Sequence, residues 1–520
     1  MLGHFDRLTD QAPKPQIGKG GNVQSIVAID IGTTGAKVAL VAQDGQVMAS
    51  GYGAYATHSG EGNRVEQTPA DWWTATCGAL THLWAAGGDR STIAAVALSG
   101  QMQDLILVDD QEALGPALLY ADCRAQAEAQ LITATIGAAE LVRITGNEQG
   151  AASLLAKWRW LQQHEPARLA AGRTLLLGAH SYVGWRLSGA ATCDYTTAST
   201  TGLLDLFRND WALPLLSRLA LETAKLPTLL AADAPMGTVT HRAAMATGLP
   251  AGIPVYTGAG DLAATTVGVG AGEPGRTYCY LGTSGWIATT LDKATPNPSG
   301  GVFTLRHPDP TRFIQVAPML TAGGNLDWVR TQVSATEDYA QLNALAAAAP
   351  VGSHGVLYLP YLAGERSPFS DATARACYIG ISGQTQRSDL VRAVMEGVAF
   401  AYRALLETLT PEVTGLYVVG GGAQSRVWMQ ILADVLGCAV HIVDKPTDAA
   451  TRGAALIVGR ALGWYQSFVP TGNYFPISRT LVPSPVAQTT YQALYPIFAE
   501  LYPRLRVSFN ALAQFTHGQG

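Results

Sequence analysis

Apolar positions along this chain come mostly in short runs broken by glycine, proline and hydroxyl-bearing residues, and these runs alternate with stretches that repeat apolar residues at helical spacing. The first run, 26–31, is interrupted by one acid, Asp30, turns through Gly32-Thr33-Thr34-Gly35 and resumes as Val38-Ala39-Leu40-Val41. That pattern predicts two strands joined by a tight turn. A third strand is predicted over 46–56, after the turn signal Asp44-Gly45. Pro69-Ala70-Asp71 opens a helix that contains Trp72 and Trp73 and ends before Gly87-Gly88. A buried strand over 93–98 then runs into Ser99-Gly100-Gln101-Met102-Gln103-Asp104, and a further strand covers 105–108. Strands alternating with helices predict an α/β fold, in which ligands sit where strand ends meet small polar residues.

Residues 125–230 read as mostly helical, with Trp158, Trp160, Trp185 and Trp211 as packing anchors. Ile253-Pro254-Val255-Tyr256 then gives a strand, Thr257-Gly258-Ala259-Gly260 a bend, and Asp261 the start of an alanine-rich helix, where the helix dipole favours an ionised carboxylate. A second hairpin follows, 276–281 and 286–290 around Gly282-Thr283-Ser284-Gly285, and its turn repeats the first one 250 residues on. Either turn alone reads equally as an ordinary hairpin. Their recurrence predicts two related halves, each offering backbone N–H groups and hydroxyls that can approach a phosphate closely because glycine leaves room.

The loop 360–368 carries Glu365 and Arg366, placed to pair with each other. Ser388 is the expected cap of a helix ending before Pro411, and a strand over 416–419 runs into Gly420-Gly421-Gly422-Ala423-Gln424-Ser425. An amphipathic helix ending at Gly437, a strand over 440–443 and a helix over 447–462 follow; in the latter, Gly453 and its small neighbours allow close packing. A last helix is expected over about 488–504, bent or broken near Pro496. The glycine run reads G-x-G-x-x-S rather than the dinucleotide fingerprint and lies late in the chain, which disfavours an oxidoreductase. It still lets a flat ring such as adenine lie on bare backbone.

At 520 residues and 48% hydrophobic content, the chain has material for two or three domains. The expected boundaries are a disordered extension over 1–24, an N-terminal domain over 25–257, a C-terminal domain over 258–480 and a helical segment over 481–520. Lys plus Arg number 34 against 39 Asp plus Glu, a net charge of −5 that argues against nucleic acid or a membrane surface as partner. The six cysteines are scattered with no C-x-x-C pair, so neither a disulfide framework nor a zinc site is indicated and a reducing cytoplasm is expected. No apolar run approaches the roughly 20 residues of a membrane span.

The blocks DIGTTGAK, VEQTPADWW, SGQMQ, GAGDLAA, LGTSGW, LAGERSP, MEGVAF and VVGGGAQS, in this order, resemble the FGGY family of carbohydrate kinases, most of all its xylulokinase branch, and the resemblance covers about residues 25–502. The resemblance implies two ribonuclease-H-like domains of the actin and hexokinase type around a central cleft. It implies ATP-dependent phosphorylation of a sugar hydroxyl with Mg²⁺, on a ketopentose such as D-xylulose to give the 5-phosphate. D-ribulose, an L-ketose, a polyol and gluconate are the alternatives.

Matched motif by motif, Asp261 resembles the catalytic aspartate, and Asp30 the hairpin carboxylate that with it helps hold Mg²⁺. Gly32, Thr33, Thr34 and Lys37, with Gly282, Thr283 and Ser284, would face the β- and γ-phosphates, a solvated strand lysine being the alternative for Lys37. Gly421, Gly422 and Gln424 would flank adenosine. Met102, Gln103, Asp122 and Arg124 would join Asp261 at the sugar, core packing being the alternative for Met102 and a plain helix cap that for Asp261. Gln103 departs from the histidine usual in xylulokinases; it donates and accepts hydrogen bonds but takes no charge. Two readings from other classes stay open. A sugar-independent actin-like ATPase is opposed by the SGQMQ and GERSP blocks, and a non-catalytic sugar-binding regulator by the presence of both Asp30 and Asp261. The oligomeric state, a homodimer included, is left open.

Overall fold

The computed structural model describes residues 24–296, 301–333, 338–409, 413–472 and 474–517, so the extension expected over 1–24 lies, but for Gln24, outside the described residues. Two seven-stranded sheets, one in each half, organise the chain. In the first, the strands Ser25–Ile31 and Gly35–Ala42 form the expected antiparallel hairpin, and Ile93–Gly100 lies parallel to Ser25–Ile31. In the second, Thr277–Leu281 and Gly285–Leu291 form the hairpin, and Gly415–Val419 lies parallel to Thr277–Leu281. Hairpin plus parallel neighbour is the repeated unit.

Each sheet is covered by helices whose apolar faces match the sequence periodicity. Pro69–Ala85 buries Trp72, Leu80 and Leu83 against the first sheet, and Arg387–Leu409 buries Val394, Val398 and Leu405 against the second. The halves meet where the helices Asp261–Gly268 and Ala449–Ala461 cross. A Cβ on Gly453 would lie 1.7 Å from the Ala264 carbonyl oxygen and one on Gly268 would lie 1.8 Å from that of Ala449, so only glycine permits this approach. A second junction ties the strand Phe303–Arg306 to the first half. Asn147 donates from Nδ2 to the Thr304 carbonyl (2.9 Å) and accepts at Oδ1 from the Thr304 N–H (2.7 Å), while Thr196 Oγ1 donates to the Arg306 carbonyl (2.7 Å).

Three expectations change. Residues 125–230 are not helical throughout, because the run Leu175-Leu176-Leu177 forms a buried strand, Thr174–Gly178, antiparallel to Met102–Val108. Ser388 lies inside the helix Arg387–Leu409 rather than capping it, and the Asp389 carboxylate accepts the Gln386 N–H (2.9 Å). The last helix runs unbroken over Pro485–His517 with Pro496 and Pro503 inside, held by Tyr491, Tyr495, Phe498 and Tyr502 packed into the second core. Among the described residues, no helix is long and apolar enough to cross a membrane.

Candidate active site

Strand order brings the two key carboxylates together. Ile93–Gly100 runs between Ser25–Ile31, with Asp30 opposite Ser99, and the short strand Ala259–Gly260, with Ala259 opposite Ser99. Asp261 therefore leaves the sheet at the carboxyl ends of the strands, beside Asp30, as the first residue of its helix. Ser99 Oγ donates to Asp30 Oδ1 (2.8 Å), and Asp261 Oδ1 accepts the Leu262 N–H (2.8 Å). Burial pushes the Asp261 carboxyl up to about 7, the Asp30 charge adds to the rise, and the Leu262 N–H opposes it. Burial also raises Asp30, against the Ser99 hydrogen bond and the charges of Lys37 and His180.

Two mutually repelling carboxylates at a cleft suit a hard cation that keeps much of its water and takes its remaining ligands from phosphate, which fits Mg²⁺. Among the described residues no group of three or more His, Cys, Asp or Glu forms a metal cage. Asp30 and Asp261 are thus the residues that would hold such an ion.

Asp261 opens onto a cavity between the halves. The first half lines it with Thr33, Gln101, Met102, Gln103, Tyr120 and Thr200; the second half adds Ser284, Trp286, Phe303, Val316, Pro318 and Arg366, among others. On the polar side, Trp72 Nε1 and Gln101 Nε2 both donate to Gln67 Oε1 (2.8 Å each), and Gln67 Nε2 donates to the Thr33 carbonyl (2.7 Å). Gln101 Oε1 is buried and unpartnered there. Gln103 sits in the left-handed region (φ 64°) and donates from Nε2 to the Thr200 carbonyl (2.6 Å), so the amide orientation is fixed. Met102 both lines the cavity and packs on Gly260, where a Cβ would fall 2.0 Å from the Met102 sulfur.

Beneath this wall lies a buried lysine. Lys157 Nζ bonds the Leu119 carbonyl, next to Tyr120. Burial lowers its pKa to about 8, against the charges of Asp122 and Asp104.

The hairpin turns face the same space. The Gly32 carbonyl accepts from Tyr55 OH and the Thr34 carbonyl from Tyr52 OH (3.1 Å). In the second turn, the Gly282 carbonyl accepts the Gly323 N–H (2.7 Å) and the Thr283 carbonyl accepts the Ala322 and Gly324 N–H groups (2.8 and 3.0 Å). With carbonyls tied into their own halves, Thr33 and Ser284 line the cavity, while Thr34 and Thr283 stay exposed beside them. Gly421 and Gly422 open the one-turn helix Gly421–Gln424 after the strand Gly415–Val419. Gly420 and Gly422 press on Leu281 at the base of the second hairpin, where Cβ atoms would lie 2.5 Å from its oxygen and 1.9 Å from its side chain.

Several expected site residues are spent elsewhere. Lys37, expected at the phosphates, pairs with Asp448 and donates to the Thr447 carbonyl (2.8 Å), joining the halves. Asp122 and Arg124 do not line the cavity. The Asp122 carboxylate accepts the Val65 N–H (2.7 Å) and Arg124 Nε (2.9 Å), and Arg124 also pairs with Glu66 at 2.5 Å. Glu365 and Arg366 do not pair through their side chains. Glu365 Oε1 accepts the Leu320 and Arg366 N–H groups (2.9 and 2.8 Å), and the Arg366 guanidinium donates across the cleft to the Tyr120 carbonyl (3.0 Å).

Residues in or beneath the cavity that fall outside the expected set differ in the signal they carry. Gln101, Trp286 and Arg366 belong to the blocks SGQMQ, LGTSGW and GERSP, so their signal is adjacency to a motif. Thr200 arrives by tertiary folding from a stretch with no chemical signature. Lys157 carries a local signal, a lysine among the apolar positions Leu154, Trp158 and Leu161 of one helix.

The sequence pattern of the N-terminal domain of the FGGY family of carbohydrate kinases matches residues 25–268, and that of its C-terminal domain matches 277–462. The chain is 30% identical to the xylulose kinase of Bacillus subtilis (strain 168) over 497 residues, 94% of this chain and 99% of that one. It superposes on the ligand-bound xylulose kinase of Lactobacillus acidophilus with a TM-score of 0.86 at 26% identity, covering 94% of this chain and all of that one. It superposes on the gluconate kinase of the same organism with a TM-score of 0.85, at the same identity and coverage.

Proposed function

We infer that this chain, which belongs to the FGGY family of carbohydrate kinases, phosphorylates a hydroxyl of a ketopentose such as D-xylulose, giving the 5-phosphate. The observation that carries this reading is that Thr33 and Ser284, one from each hairpin turn, line the same cavity as Asp261. ATP is the donor. In the proposed reaction the sugar hydroxyl hydrogen-bonds the Asp261 carboxylate and its oxygen attacks the γ-phosphorus. The bond from that phosphorus to the β,γ-bridging oxygen breaks, the proton passes to Asp261, and ADP leaves.

The pKa of Asp261, lifted to about 7, suits a base that is ionised near neutrality yet takes the proton readily. Gln101 Oε1 and the Gln103 amide orient the remaining hydroxyls, and the turns seat the phosphates. Mg²⁺, when bound at Asp30 and Asp261, supplies neutralisation of phosphate charge.

A second reading, a sugar acid as acceptor, is favoured by one observation: the cavity contains the cation of Arg366. The fold also matches a gluconate kinase closely. Coupled measurement of ADP release over D-xylulose, D-ribulose, L-ketoses, polyols and gluconate separates the two. The expected result is ADP release that depends on a ketopentose; equal ATP hydrolysis with and without every acceptor would overturn the kinase reading.

A further inference from the structure

The cavity has two unlike walls. Across the second sheet, Tyr280 pairs with Trp286 and Trp286 with Pro318, while Phe303 pairs with Val316 on the neighbouring strands. Side chains alternate between faces along a strand, so Trp286, Pro318 and Val316 stand on one face, and all three line the cavity. The first half lines the cavity with Thr33, Gln101, Gln103 and Thr200, and the second half adds Ser284 and Arg366 beside its apolar residues.

Trp286 is held from two sides. Its ring stacks on Tyr280 with centroids 4.1 Å apart and planes 9° off parallel. Its Nε1 donates to Tyr278 OH (3.1 Å), which in turn donates to the Leu262 carbonyl (3.1 Å). The indole's one polar group is therefore engaged away from the cavity, and the indole can offer the cavity only carbon. Through Tyr278 and Leu262, the position of that surface is tied to the first turn of the helix that begins with Asp261. A rigid aromatic surface at fixed height beside a base holds the carbon-hydrogen edge of an acceptor whose hydroxyls meet the polar lining.

We propose that Trp286 is a specificity-determining residue of the acceptor site, the apolar platform against which the carbon-hydrogen edge of the sugar rests while its reacting hydroxyl meets Asp261. The inference rests on the kinase reading above and deepens it. The same ring could instead serve adenine, and the two roles differ in which KM they govern.

The test is steady-state kinetics of wild type, Trp286→Leu and Trp286→Phe, varying the sugar at saturating ATP and ATP at saturating sugar. For Trp286→Leu we expect the sugar KM to rise about tenfold or more while the ATP KM stays within about twofold. Trp286→Phe, which keeps an aromatic surface, should restore the sugar KM to within about threefold of wild type. A sugar KM unchanged in Trp286→Leu, or an ATP KM that rises as much as the sugar KM, overturns the proposal. So does a Trp286→Phe variant as impaired as Trp286→Leu, since only packing would then be at stake. These outcomes are read on a wild-type enzyme that is active; a wild type that phosphorylates no acceptor overturns the kinase reading and this inference with it.

Discussion

The two hairpins share a turn sequence and a place in their sheets, yet the rung beneath each turn is chemically opposite. In the first, Asp30 stands across from Lys37; in the second, Tyr280 stands across from Trp286. The second turn is also one residue shorter, since Leu281 pairs with Gly285 where Ile31 pairs with Ala36. Repetition of fold thus leaves each half free to furnish a different chemistry to the shared cavity. The first half supplies charge next to Asp261 and the second most of the apolar lining. What the two turns keep in common, hydroxyls on a glycine-flanked bend with carbonyls tied behind, is what a phosphate would use.

The strongest way to break this division of labour is to remove charge from the first side. Asp261→Asn should lower kcat by about 1,000-fold or more while leaving ATP binding and folding intact, as read by coupled ADP release and nucleotide titration. Turnover within tenfold of wild type would remove Asp261 from the proton transfer. Next in size, Asp30→Asn should lower kcat about 100-fold and shift the Mg²⁺ titration to higher concentration. An unshifted titration would leave Asp30 without a metal role. No comparable loss of kcat is expected from the aromatic rung, because it lies on the side that holds rather than reacts.

The pH dependence sharpens the same contrast. Because the base must be ionised, kcat/KM should rise about tenfold per pH unit up to about 7 and then level off, following the raised pKa of Asp261. Stability runs the other way. The folded carboxyl holds its proton between the usual 3.8 and about 7, so its contribution to stability falls as pH rises through that window. Asp261→Asn should therefore melt about 1–2 °C higher than wild type at pH 8, a difference that fades below pH 4. Equal melting curves at both pH values would mean that the carboxylate is not strained by Asp30 and burial.

Much of this arrangement was legible in the residue pattern. Hairpin, buried strand and helix follow from short apolar runs and from runs of period 3.6, and the recurrence of the glycine-flanked turns pointed to two related α/β halves. Elements whose fate is set by partners were not legible. Pro496 and Pro503 signal a break locally, but aromatic residues on one face, from Tyr491 to Tyr502, dock the helix on the second core and carry it through. The strand Thr174–Gly178 is three leucines between small residues, a run too short for its period to tell strand from helix. At the site, Asp122 and Arg124 look free in sequence, but the Val65 N–H and Glu66 engage them from a neighbouring strand.

Lys37 is the sharpest case, since its partners lie more than 400 residues away, and it gives the smallest of the expected effects. The Lys37 and Asp448 side chains are 24% and 12% exposed, so the pair between the halves is partly screened and is worth about 1 kcal/mol or less. Lys37→Met should then lower stability by about that amount and change the ATP KM by less than about threefold. Asp448→Asn should do the same, and the double substitution should add little to either single one, because all three remove one interaction. A phosphate role predicts a different pattern: an ATP KM raised tenfold or more in Lys37→Met and left unchanged in Asp448→Asn. Measured on both variants, the ATP KM therefore decides whether the ionic rung of the first hairpin ends at the neighbouring domain or continues to the nucleotide.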